Sequence, residues 1–455
     1  MKFLFVSKPL TMENLGIMSL SSVIKKLGHE TGLAITTEDL EKRVGEFKPD
    51  FIGYSIMTGD HEMYDEVNST LKSKFNFFSI AGGPHPTFFP EFLKNSSFDA
   101  ICRGEGEKAV QQFLEDPSSH RISNFWFKDE NGEIEKNPVQ QLTDPLDEIP
   151  FPDRELVSSC EEVRKSPIKH FIASRGCPFD CAYCFNKSYS QLYEGKGKRV
   201  RFKSVDNLIQ EIKEVIENYP TRFVYFQDDT FTLSEDWLKE FSGKYPSQIK
   251  LPFHCHVRAN TLTENKVNYL KEAGCYSVHI AAEAGNDELR NKILNRGMTK
   301  EQIISATKML RKHKIKFMLQ NILGVPEGNI DTDLETLELN ISCKPDYAWV
   351  SIFQPYPGTR LGEFCRQKGY YTGDFKDLGS NFFDSSKLNF SEEYKLQLAN
   401  LQKLFAITVD NPRLYSLGLL QSMINVSDES VRKEYQEAYK KFRKIGDRRL
   451  YGFDL

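Results

Sequence analysis

The sequence has no apolar run that approaches the roughly 18 residues of a membrane-spanning helix. Near its start only the short run FLFV precedes Ser7 and Lys8, too short for the apolar part of a signal peptide. No basic cluster stands out, and a net charge of −4 over 455 residues gives no electrostatic reason to expect a nucleic-acid partner. We therefore expect a cytoplasmic protein with no transmembrane segment.

Cysteine is scarce. The chain has nine cysteines, an odd number, and most of them lie far apart in the sequence. Without a secretion signal, this pattern favours reduced thiols and a metal site over a disulfide framework. A chain of this length with 39% hydrophobic and 27% charged residues is typical of a globular protein with several domains.

The N-terminal part, residues 1–115, alternates short apolar runs with helical patterns. The runs are KFLFVS, DFIGYSI, FFSIAGG and DAICRGEGE. This alternation predicts a doubly wound, Rossmann-like α/β domain, in which helices cover both faces of a small parallel sheet. Residues 116–165 are rich in Pro, Asp, Glu and Asn, and they predict a linker that carries one hairpin.

Residues 166–360 repeat a strand–helix unit. Strands fit at HFIAS, RFVYFQ, FHCHVRA, SVHIAA, FMLQNILG and YAWVSIF, and amphipathic stretches lie between them. Thr299 and Gln302 predict a capping box at the start of one of these helices. Six such units predict a partial (β/α)6 barrel of the TIM type, whose chemistry belongs to the loops at the carboxyl ends of the strands. Residues 361–455 predict a mainly helical region without a recognisable motif.

The stretch CPFDCAYC places Cys177, Cys181 and Cys184 on one loop, directly after the first predicted barrel strand. A structural zinc site closes with four ligands, and the nearby Asp180 and Asn186 are neither cysteine nor histidine. Three thiolates on a cubane cluster hold three irons and leave the fourth iron open for another ligand. The loop therefore indicates an iron–sulfur cluster, with zinc or unrelated buried thiols as the alternatives.

The CxxxCxxC spacing resembles the signature of the radical S-adenosylmethionine (SAM) superfamily. The first 115 residues resemble the cobalamin-binding domain that precedes the barrel in one large subfamily. This resemblance implies a [4Fe–4S] cluster, SAM and cobalamin as cofactors. The open iron chelates the amino and carboxylate groups of SAM, and an electron from the reduced cluster cleaves SAM to a 5′-deoxyadenosyl radical. An external electron donor such as flavodoxin or ferredoxin is implied as a partner.

The resemblance also implies SAM-binding residues near the strand ends of the barrel. Glu283 resembles the carboxylate that contacts SAM, the guanidinium of Arg296 suits the methionine carboxylate, and ILGVP resembles the turn packed on adenine. For each residue, a solvated strand end or a structural ion pair is the alternative. The candidates are Tyr183, Asp228, Asp229, Arg258, Glu283, Arg296 and Gly324.

Strand alternation adds three candidates for contact with the substrate. If Arg258 points into the barrel, a period of two places His254 and His256 on the same face, and His279 shares a face with Glu283. These histidines are the catalytic candidates. The alternative for each is a hydrogen-bonded core histidine.

Cobalamin-binding candidates follow predicted strands in GYSIMTGD, AGGPHPTFFP and CRGEGE, where an open doubly wound sheet binds ligands. The sequence lacks the familiar Asp-x-His-x-x-Gly pattern and has SKPLTMENLG instead. The resemblance therefore implies base-off cobalamin without a histidine ligand, and His85, the only histidine in these loops, is interpreted as part of a turn. The candidates are Ser55, Thr58, Gly82, Gly83, Pro84, His85, Gly104, Glu105 and Gly106.

The resemblance implies a cobalamin-dependent radical SAM methyltransferase. One SAM would methylate cob(I)alamin, and a second would supply the radical that abstracts hydrogen from an unactivated carbon. Methylcobalamin would then deliver its methyl group to the substrate radical. A cyclase or rearrangement enzyme with the same cofactors is the alternative, and the cluster loop argues against a non-catalytic corrinoid sensor. The sequence does not distinguish a small-molecule, lipid or peptide substrate.

Overall fold

The computed structural model describes residues 1–373, 378 and 382–453. The chain divides into two compact units. The first comprises Met1–His170 and Ser188–Thr221, and the second comprises Phe171–Lys187 and the chain from Arg222 onward. Among the described residues, no helix combines the length and the apolar character that a membrane crossing requires.

The secondary structure alternates strands and helices up to residue 352 and is helical beyond it. The strands are β1 (Lys2–Ser7), β2 (Glu30–Ile35), β3 (Phe51–Ser55), β4 (Phe78–Gly82), β5 (Ala100–Cys102), β6 (Phe125–Lys128), β7 (Ile134–Lys136), β8 (Ile168–Phe171), β9 (Ser174–Arg175), β10 (Arg201–Phe202), β11 (Phe223–Phe226), β12 (Phe253–Val257), β13 (Cys275–Glu283), β14 (Lys316–Leu323) and β15 (Tyr347–Ile352). The α-helices are α1 (Leu15–Lys26), α2 (Leu40–Phe47), α3 (His61–Lys72), α4 (Pro84–Phe88), α5 (Glu107–Glu115), α6 (Glu161–Lys165), α7 (Asn186–Leu192), α8 (Val205–Asn218), α9 (Glu235–Gln248), α10 (Glu264–Glu272), α11 (Lys300–Lys312), α12 (Ile330–Cys343), α13 (Arg360–Gln367), α14 (Glu392–Asp410), α15 (Arg413–Ser416), α16 (Leu419–Ile424) and α17 (Glu429–Tyr451).

The first unit contains a seven-stranded sheet in the order β2-β1-β3-β4-β5-β6-β7. Strands β1 to β5 run parallel, whereas β6 pairs antiparallel with both β5 and β7. The predicted doubly wound domain is therefore confirmed. The hairpin predicted within residues 116–165 forms too, but its strands β6 and β7 extend this sheet instead of standing in a separate linker.

Alternation along β1 explains why helices cover both faces of this sheet. Phe3 and Phe5 belong to one apolar cluster together with residues of α1 and α5. Leu4 and Val6 belong to a second cluster with residues of α2 and α3. Each face of the strand is thus buried, as expected for an interior parallel strand of a doubly wound sheet.

The sequence patterns above do not indicate β2 or α2. The first half of β2 consists of Glu30, Thr31 and Gly32, which lack the apolar character of a buried strand. Its pairing with β1 runs from Lys2↔Glu30 to Ser7↔Ile35. The partner strand, rather than local sequence, therefore decides that this segment is extended.

A six-stranded sheet has the order β15-β14-β13-β12-β11-β8, and its strands β11 to β15 belong to the second unit. The pairings from β11 to β15 are parallel, and each strand lies beside its predecessor in the repeat. All six predicted strands form, so the expected partial barrel is confirmed. The predicted capping box is present as well, since Thr299 and Gln302 exchange side chain-to-backbone hydrogen bonds at the start of α11.

The C-terminal region is helical, as predicted, and it packs against the barrel sheet. Helix α14 contacts β15, and α17 contacts β13. The Ser277 hydroxyl on β13 donates to the Leu450 carbonyl oxygen of α17 at 2.6 Å. The ring of Tyr451 lies 5.7 Å from the ring of Phe223, the first residue of β11. The end of α17 therefore lies at the amino-terminal end of these strands, opposite the edge where the loop residues converge.

Candidate functional site

The three loop cysteines follow β8 and β9. Cys181 is buried, and Cys177 and Cys184 are partly exposed. Burial raises the pKa of the Cys184 thiol to about 11, a backbone hydrogen bond from Asn186 lowers it, and the nearby Cys181 and Cys177 raise it. The backbone N and Nδ2 of Asn186 each lie 3.5 Å from Cys184 Sγ, so Asn186 donates to sulfur instead of acting as a fourth ligand. Three close thiols of this kind require a bound cation to be held as thiolates.

Two guanidinium groups face the buried Cys181. Nη1 of Arg258 lies 3.5 Å from Cys181 Sγ, and Nη1 of Arg296 lies 3.6 Å from it. The Arg258 guanidinium also stacks 3.8 Å from the centroid of the Phe179 ring and donates to the Arg296 carbonyl oxygen. Arg258, expected at the SAM site, is thus committed to the cysteine loop. The two guanidinium groups therefore place positive charge beside this sulfur.

Asp228 and Asp229 occupy different environments, although both follow β11. Asp228 is buried, and its carboxylate accepts hydrogen bonds from the backbone N of Ala173 and from the backbone N and hydroxyl of Ser174. Burial raises its pKa to about 6, against these hydrogen bonds. Asp229 is exposed and accepts from Asn186 Nδ2 at 3.0 Å. The geometry therefore makes Asp228 a brace for the strand that leads into the cysteine loop, and it leaves Asp229 as the accessible carboxylate.

Tyr183, Glu283 and Arg296 form a compact group beside Cys181. The Tyr183 hydroxyl donates to Glu283 Oε1 at 2.7 Å and accepts from Arg296 Nη1 at 2.8 Å. The Arg296 and Glu283 side chains are 3.7 Å apart, and both are buried. Arg296 Nη2 donates to the Ala281 carbonyl oxygen, whereas its buried Nε has no hydrogen-bond partner among the described residues. The group presents a carboxylate and an unpartnered guanidinium N–H at one place, which suits a ligand with both charges.

The glycine of ILGVP is held by two residues that no sequence pattern indicated. Gly324 N donates to Asp333 Oδ1 at 3.1 Å, and the Tyr394 hydroxyl donates to Asp333 Oδ2 at 2.7 Å. Burial raises the pKa of Asp333 to about 7, although the Tyr394 and Gly324 hydrogen bonds oppose the rise. Asp333 lies on α12 and Tyr394 on α14. Because the two residues are far apart in the chain, no local sequence pattern indicates their pairing.

The three candidate histidines meet, as strand alternation predicts. His256 and His279 are register partners on β12 and β13, and the rings of His254 and His279 are 4.2 Å apart. The Tyr225 hydroxyl lies 3.1 Å from His256 Nε2 and 3.3 Å from His279 Nδ1. Burial lowers the pKa of His256 to about 4, and burial followed by mutual repulsion lowers the pKa of the other two well below its usual range. The three imidazoles are therefore neutral near pH 7.

The cobalamin candidates of the first unit lie at the carboxyl ends of adjacent strands. Ser55 ends β3, Thr58 follows it, and residues 82–84 end β4. Gly83 has φ of 95°, and a Cβ there would approach Ile56 N to 2.9 Å, so only glycine fits this turn. Residues 82–84 are partly or fully exposed, which leaves backbone accessible to a flat ligand.

His85 lies in the short helix α4, so its interpretation as part of a turn needs correction. It is buried, its Nδ1 lies 3.2 Å from Thr58 Oγ1, and its ring stacks on His61 at 4.1 Å. Burial, with a smaller contribution from His61, lowers the pKa of His85 to about 3. His85 is also not the only histidine of this edge, because His61 begins α3 just after the β3 loop. No local sequence pattern indicated the pairing of His61 with His85, because the two residues are far apart in the chain.

The cobalamin candidates after β5, Gly104, Glu105 and Gly106, are engaged by other residues of the first unit. Tyr193 Oη accepts from Glu105 N at 2.9 Å, and it would lie 2.0 Å from a Cβ on Gly104. The Glu105 carboxylate forms an ion pair with the buried Arg201 at 2.7 Å. Gly106 is the N-cap of α5. These contacts account for the GEGE motif by packing, so this loop supports ligand binding less than the β3 and β4 loops do.

Two exposed methionines, which no sequence motif indicated, lie at the carboxyl edge of the same sheet. Met12 follows β1 and is 52% exposed, and Met57 follows β3 and is 57% exposed. In the sheet order β2-β1-β3, strand β2 lies on one side of β1 and strand β3 on the other, so the strand order reverses between β1 and β3, where doubly wound sheets bind ligands. Exposed apolar side chains at such a point fit an apolar partner surface.

Comparison with known families separates the chain into two matched regions. The B12 binding domain family matches residues 1–114, and the Radical SAM superfamily matches residues 171–339. These regions contain the β3 and β4 loops and the cysteine loop, respectively.

Comparison with individual proteins extends over most of the chain. An uncharacterized methyltransferase of Pyrococcus horikoshii is 31% identical over 368 residues, which cover 77% of this chain and 78% of that protein. An anaerobic magnesium-protoporphyrin IX monomethyl ester cyclase of Rubrivivax gelatinosus is 23% identical over 377 residues, 78% of this chain and 63% of that protein. Among solved structures, the cobalamin-dependent S-adenosylmethionine radical enzyme OxsB, with aqua-cobalamin and S-adenosylmethionine bound, has the same fold. It superposes with a TM-score of 0.71 at 16% identity, over 98% of this chain and 71% of that chain.

Proposed function

Because the chain belongs to the family of cobalamin-dependent radical SAM methyltransferases, we propose that it transfers a methyl group to an unactivated carbon of its substrate. The family's cofactors are a [4Fe–4S] cluster, SAM and cobalamin. The observation that carries the proposal is the combination in one chain of a three-cysteine loop with two guanidinium groups at Cys181 and a doubly wound sheet with an accessible carboxyl edge.

We assign cluster binding to Cys177, Cys181 and Cys184. The residues fit this group because they supply three thiols and Asn186 and the two arginines supply donors to sulfur, while no fourth protein ligand is required. When bound, the cluster and SAM supply a 5′-deoxyadenosyl radical and cobalamin carries the methyl group. The protein's part at this loop is to neutralise the thiolate charge and to hold the loop through Asp228.

We assign the amino acid part of SAM to the group around Tyr183. Glu283 would accept from the SAM amino group, and the unpartnered Nε of Arg296 would donate to a SAM oxygen. Tyr183 fixes Glu283 by its hydrogen bond, so it positions the carboxylate. Asp229 is exposed and is proposed as an additional contact, whereas Asp228 and Arg258 act through the cysteine loop. Gly324, held by Asp333, is proposed to contact the adenine.

We assign cobalamin to the β3 and β4 loops. Ser55, Thr58 and residues 82–84 would contact the corrinoid through backbone and hydroxyl groups, and the exposed Met57 would cover its apolar face. His85 is proposed not to ligate cobalt, because its ring is buried between Thr58 and His61.

Electron supply and location belong to the same proposal. Reductive cleavage of SAM consumes one electron, so the enzyme requires a low-potential donor protein of the flavodoxin or ferredoxin class. We propose a cytoplasmic location, where such donors and reduced thiols occur. The substrate is proposed to be a small molecule, a lipid or a peptide with an unactivated carbon.

The competing function is cyclisation or rearrangement with the same cofactors, which the named activity of the Rubrivivax gelatinosus relative favours. The two are separated by incubating the reduced enzyme with candidate acceptors and SAM labelled in its methyl group. A methyltransferase releases S-adenosylhomocysteine and 5′-deoxyadenosine in near-equal amounts and places the label in the product. Deuterium at the reacting carbon should appear in 5′-deoxyadenosine. Turnover that yields 5′-deoxyadenosine without S-adenosylhomocysteine or product label would instead establish the cyclase or rearrangement reaction.

A further inference from the structure

Three histidines converge on the inner face of the barrel sheet, away from the cysteine loop. On β12, the Phe253 ring packs 5.6 Å from the Phe241 ring of α9, so the alternate residues His254 and His256 face the interior. His279 of β13 is the register partner of His256. One ring nitrogen of each histidine lies within 4.8 Å of those of the other two.

Hydrogen bonding fixes the tautomer of His254. The Ser277 hydroxyl donates its single hydrogen to the Leu450 carbonyl oxygen at 2.6 Å. It also lies 2.6 Å from His254 Nδ1 and must therefore accept from it, so Nδ1 carries the ring hydrogen. His254 Nε2 then presents a lone pair, although it is fully buried and has no hydrogen-bond partner within the described chain. An imidazole oriented by its other nitrogen in this way is typical of metal ligands.

The second ring, that of His279, is also buried and has one nitrogen without a partner among the described residues. His279 is 8% exposed, and its Nε2 also has no partner among the residues described. Its Nδ1 lies 3.3 Å from the Tyr225 hydroxyl and 3.4 Å from Gln320 Nε2, an amide nitrogen that donates, so this Nδ1 is placed to accept. Each of the two rings thus has one buried nitrogen without a partner in the described chain, and an apolar or purely structural core would not leave both unsatisfied.

We propose that His254, His256 and His279 bind one divalent transition-metal ion, separate from the iron–sulfur cluster. Each of the three imidazoles supplies one ring nitrogen, which for His254 is Nε2, and Ser277 and Tyr225 orient the rings. Three imidazoles without a carboxylate select zinc-like ions over magnesium or calcium. Three protein ligands leave a fourth coordination position for water or for a group of a bound molecule.

The geometry is compatible with such an ion. Metal–nitrogen distances of about 2.0–2.1 Å place tetrahedral ligand nitrogens about 3.4 Å apart. Starting from nitrogens within 4.8 Å of one another, each ring moves inward by under about 1 Å to bind. Such a shift is within reach of small χ changes inside one rotamer well.

The test is metal analysis of the full-length protein, with and without its cofactors, after exposure to zinc and removal of loosely bound ions. Because the loop cysteines also bind zinc when the cluster is missing, a variant with Cys177, Cys181 and Cys184 all replaced by Ala sets the background. We expect about one zinc per chain in that variant and in the cluster-loaded wild type. His256→Ala and His279→Gln should weaken zinc binding at least tenfold, whereas His313→Ala, which removes a histidine that follows α11 and pairs with Glu264 of α10, should not.

X-ray absorption at the zinc edge of the wild type provides a readout that does not depend on how well the variants fold. Three imidazole ligands at about 2.0 Å support the site. Three results would overturn the site. They are loss of zinc when the three loop cysteines are replaced, sulfur ligands in the zinc X-ray absorption spectrum, and equal zinc content in the wild type and in His256→Ala. In that case the histidines would return to the role of direct substrate contacts.

Discussion

The Tyr183 hydroxyl lies 2.7 Å from Glu283, although 100 residues separate the two in the sequence. Glu283 has φ of 69°, a value that few non-glycine residues adopt, and it follows a register shift in the pairing of β13 with β14. The strained backbone turns the carboxylate toward the cysteine loop, and Tyr183 and Arg296 hold it there. Backbone strain of this kind concentrates at ligand sites.

Replacement of Tyr183 by Phe should weaken SAM binding at least tenfold, since it removes the hydroxyl's hydrogen bonds to Glu283 and Arg296, each worth about 1.5–3 kcal/mol. Equilibrium binding of SAM to the cluster-loaded protein measures this. Tyr415→Phe is the matched control, because Tyr415 donates to the exposed Glu338 at 2.6 Å. Unchanged SAM affinity in Tyr183→Phe would contradict the assignment of Glu283 to SAM.

Replacement of Cys177, Cys181 or Cys184 by Ala should abolish both the visible cluster absorption of anaerobically reconstituted protein and the formation of 5′-deoxyadenosine, because a cubane then loses a thiolate. Cys160→Ala, at a partly exposed cysteine outside the loop, should leave both unchanged. Full iron content and SAM cleavage in any one of the loop variants would argue against the cluster site. A loss of iron in Cys160→Ala would indicate a second cluster.

The cobalt of bound cobalamin should lack a histidine ligand. His85 is neutral and buried against Thr58 and His61, and burial lowers its pKa to about 3. The paramagnetic Co(II) form should therefore show no splitting by a histidine nitrogen in electron paramagnetic resonance, and His85→Ala should not alter the spectrum. Nitrogen splitting that vanishes in His85→Ala or in His61→Ala would show that one of these rings reaches the metal.

The stability of the protein should depend on the titration of Asp333. Burial raises its pKa to about 7, whereas an unfolded aspartate titrates near 4. Between these values the native state keeps a proton that the unfolded state loses, so this group's contribution to the free energy of unfolding falls as the pH rises.

From about pH 5 to about pH 8, the free energy of unfolding of the wild type should fall by about 3 kcal/mol relative to that of Asp333→Asn, because the Asn side chain does not titrate. Urea unfolding of both proteins at the two pH values measures the difference. Asp331→Asn, at an exposed position of the same helix, should show no such difference from the wild type. Parallel pH profiles of wild type and Asp333→Asn would refute the buried, proton-binding state.

Local sequence patterns determined the barrel strands, the cysteine loop and the capping box of this protein. Apolar runs and period-two alternation are written in neighbouring residues, so they predict all six barrel strands and place His254, His256 and His279 on one face. The spacing of the three cysteines indicates a cluster for the same reason, since a short loop brings its own ligands together. The capping box at Thr299 is equally local.

The tertiary structure alone decided which polar side chains remain available to a ligand. Asp228 and Glu105 carry the same charge as Glu283 and also lie at strand ends, yet Ser174 and Arg201 engage them. Their partners lie 54 and 96 residues away. Strand β2 and the Asp333–Tyr394 pair likewise depend on distant segments. The sequence determined where chemistry can occur, because the spacing of the ligands is local. Only the fold decided which charges are neutralised, because ion pairs and hydrogen bonds join remote parts of the chain.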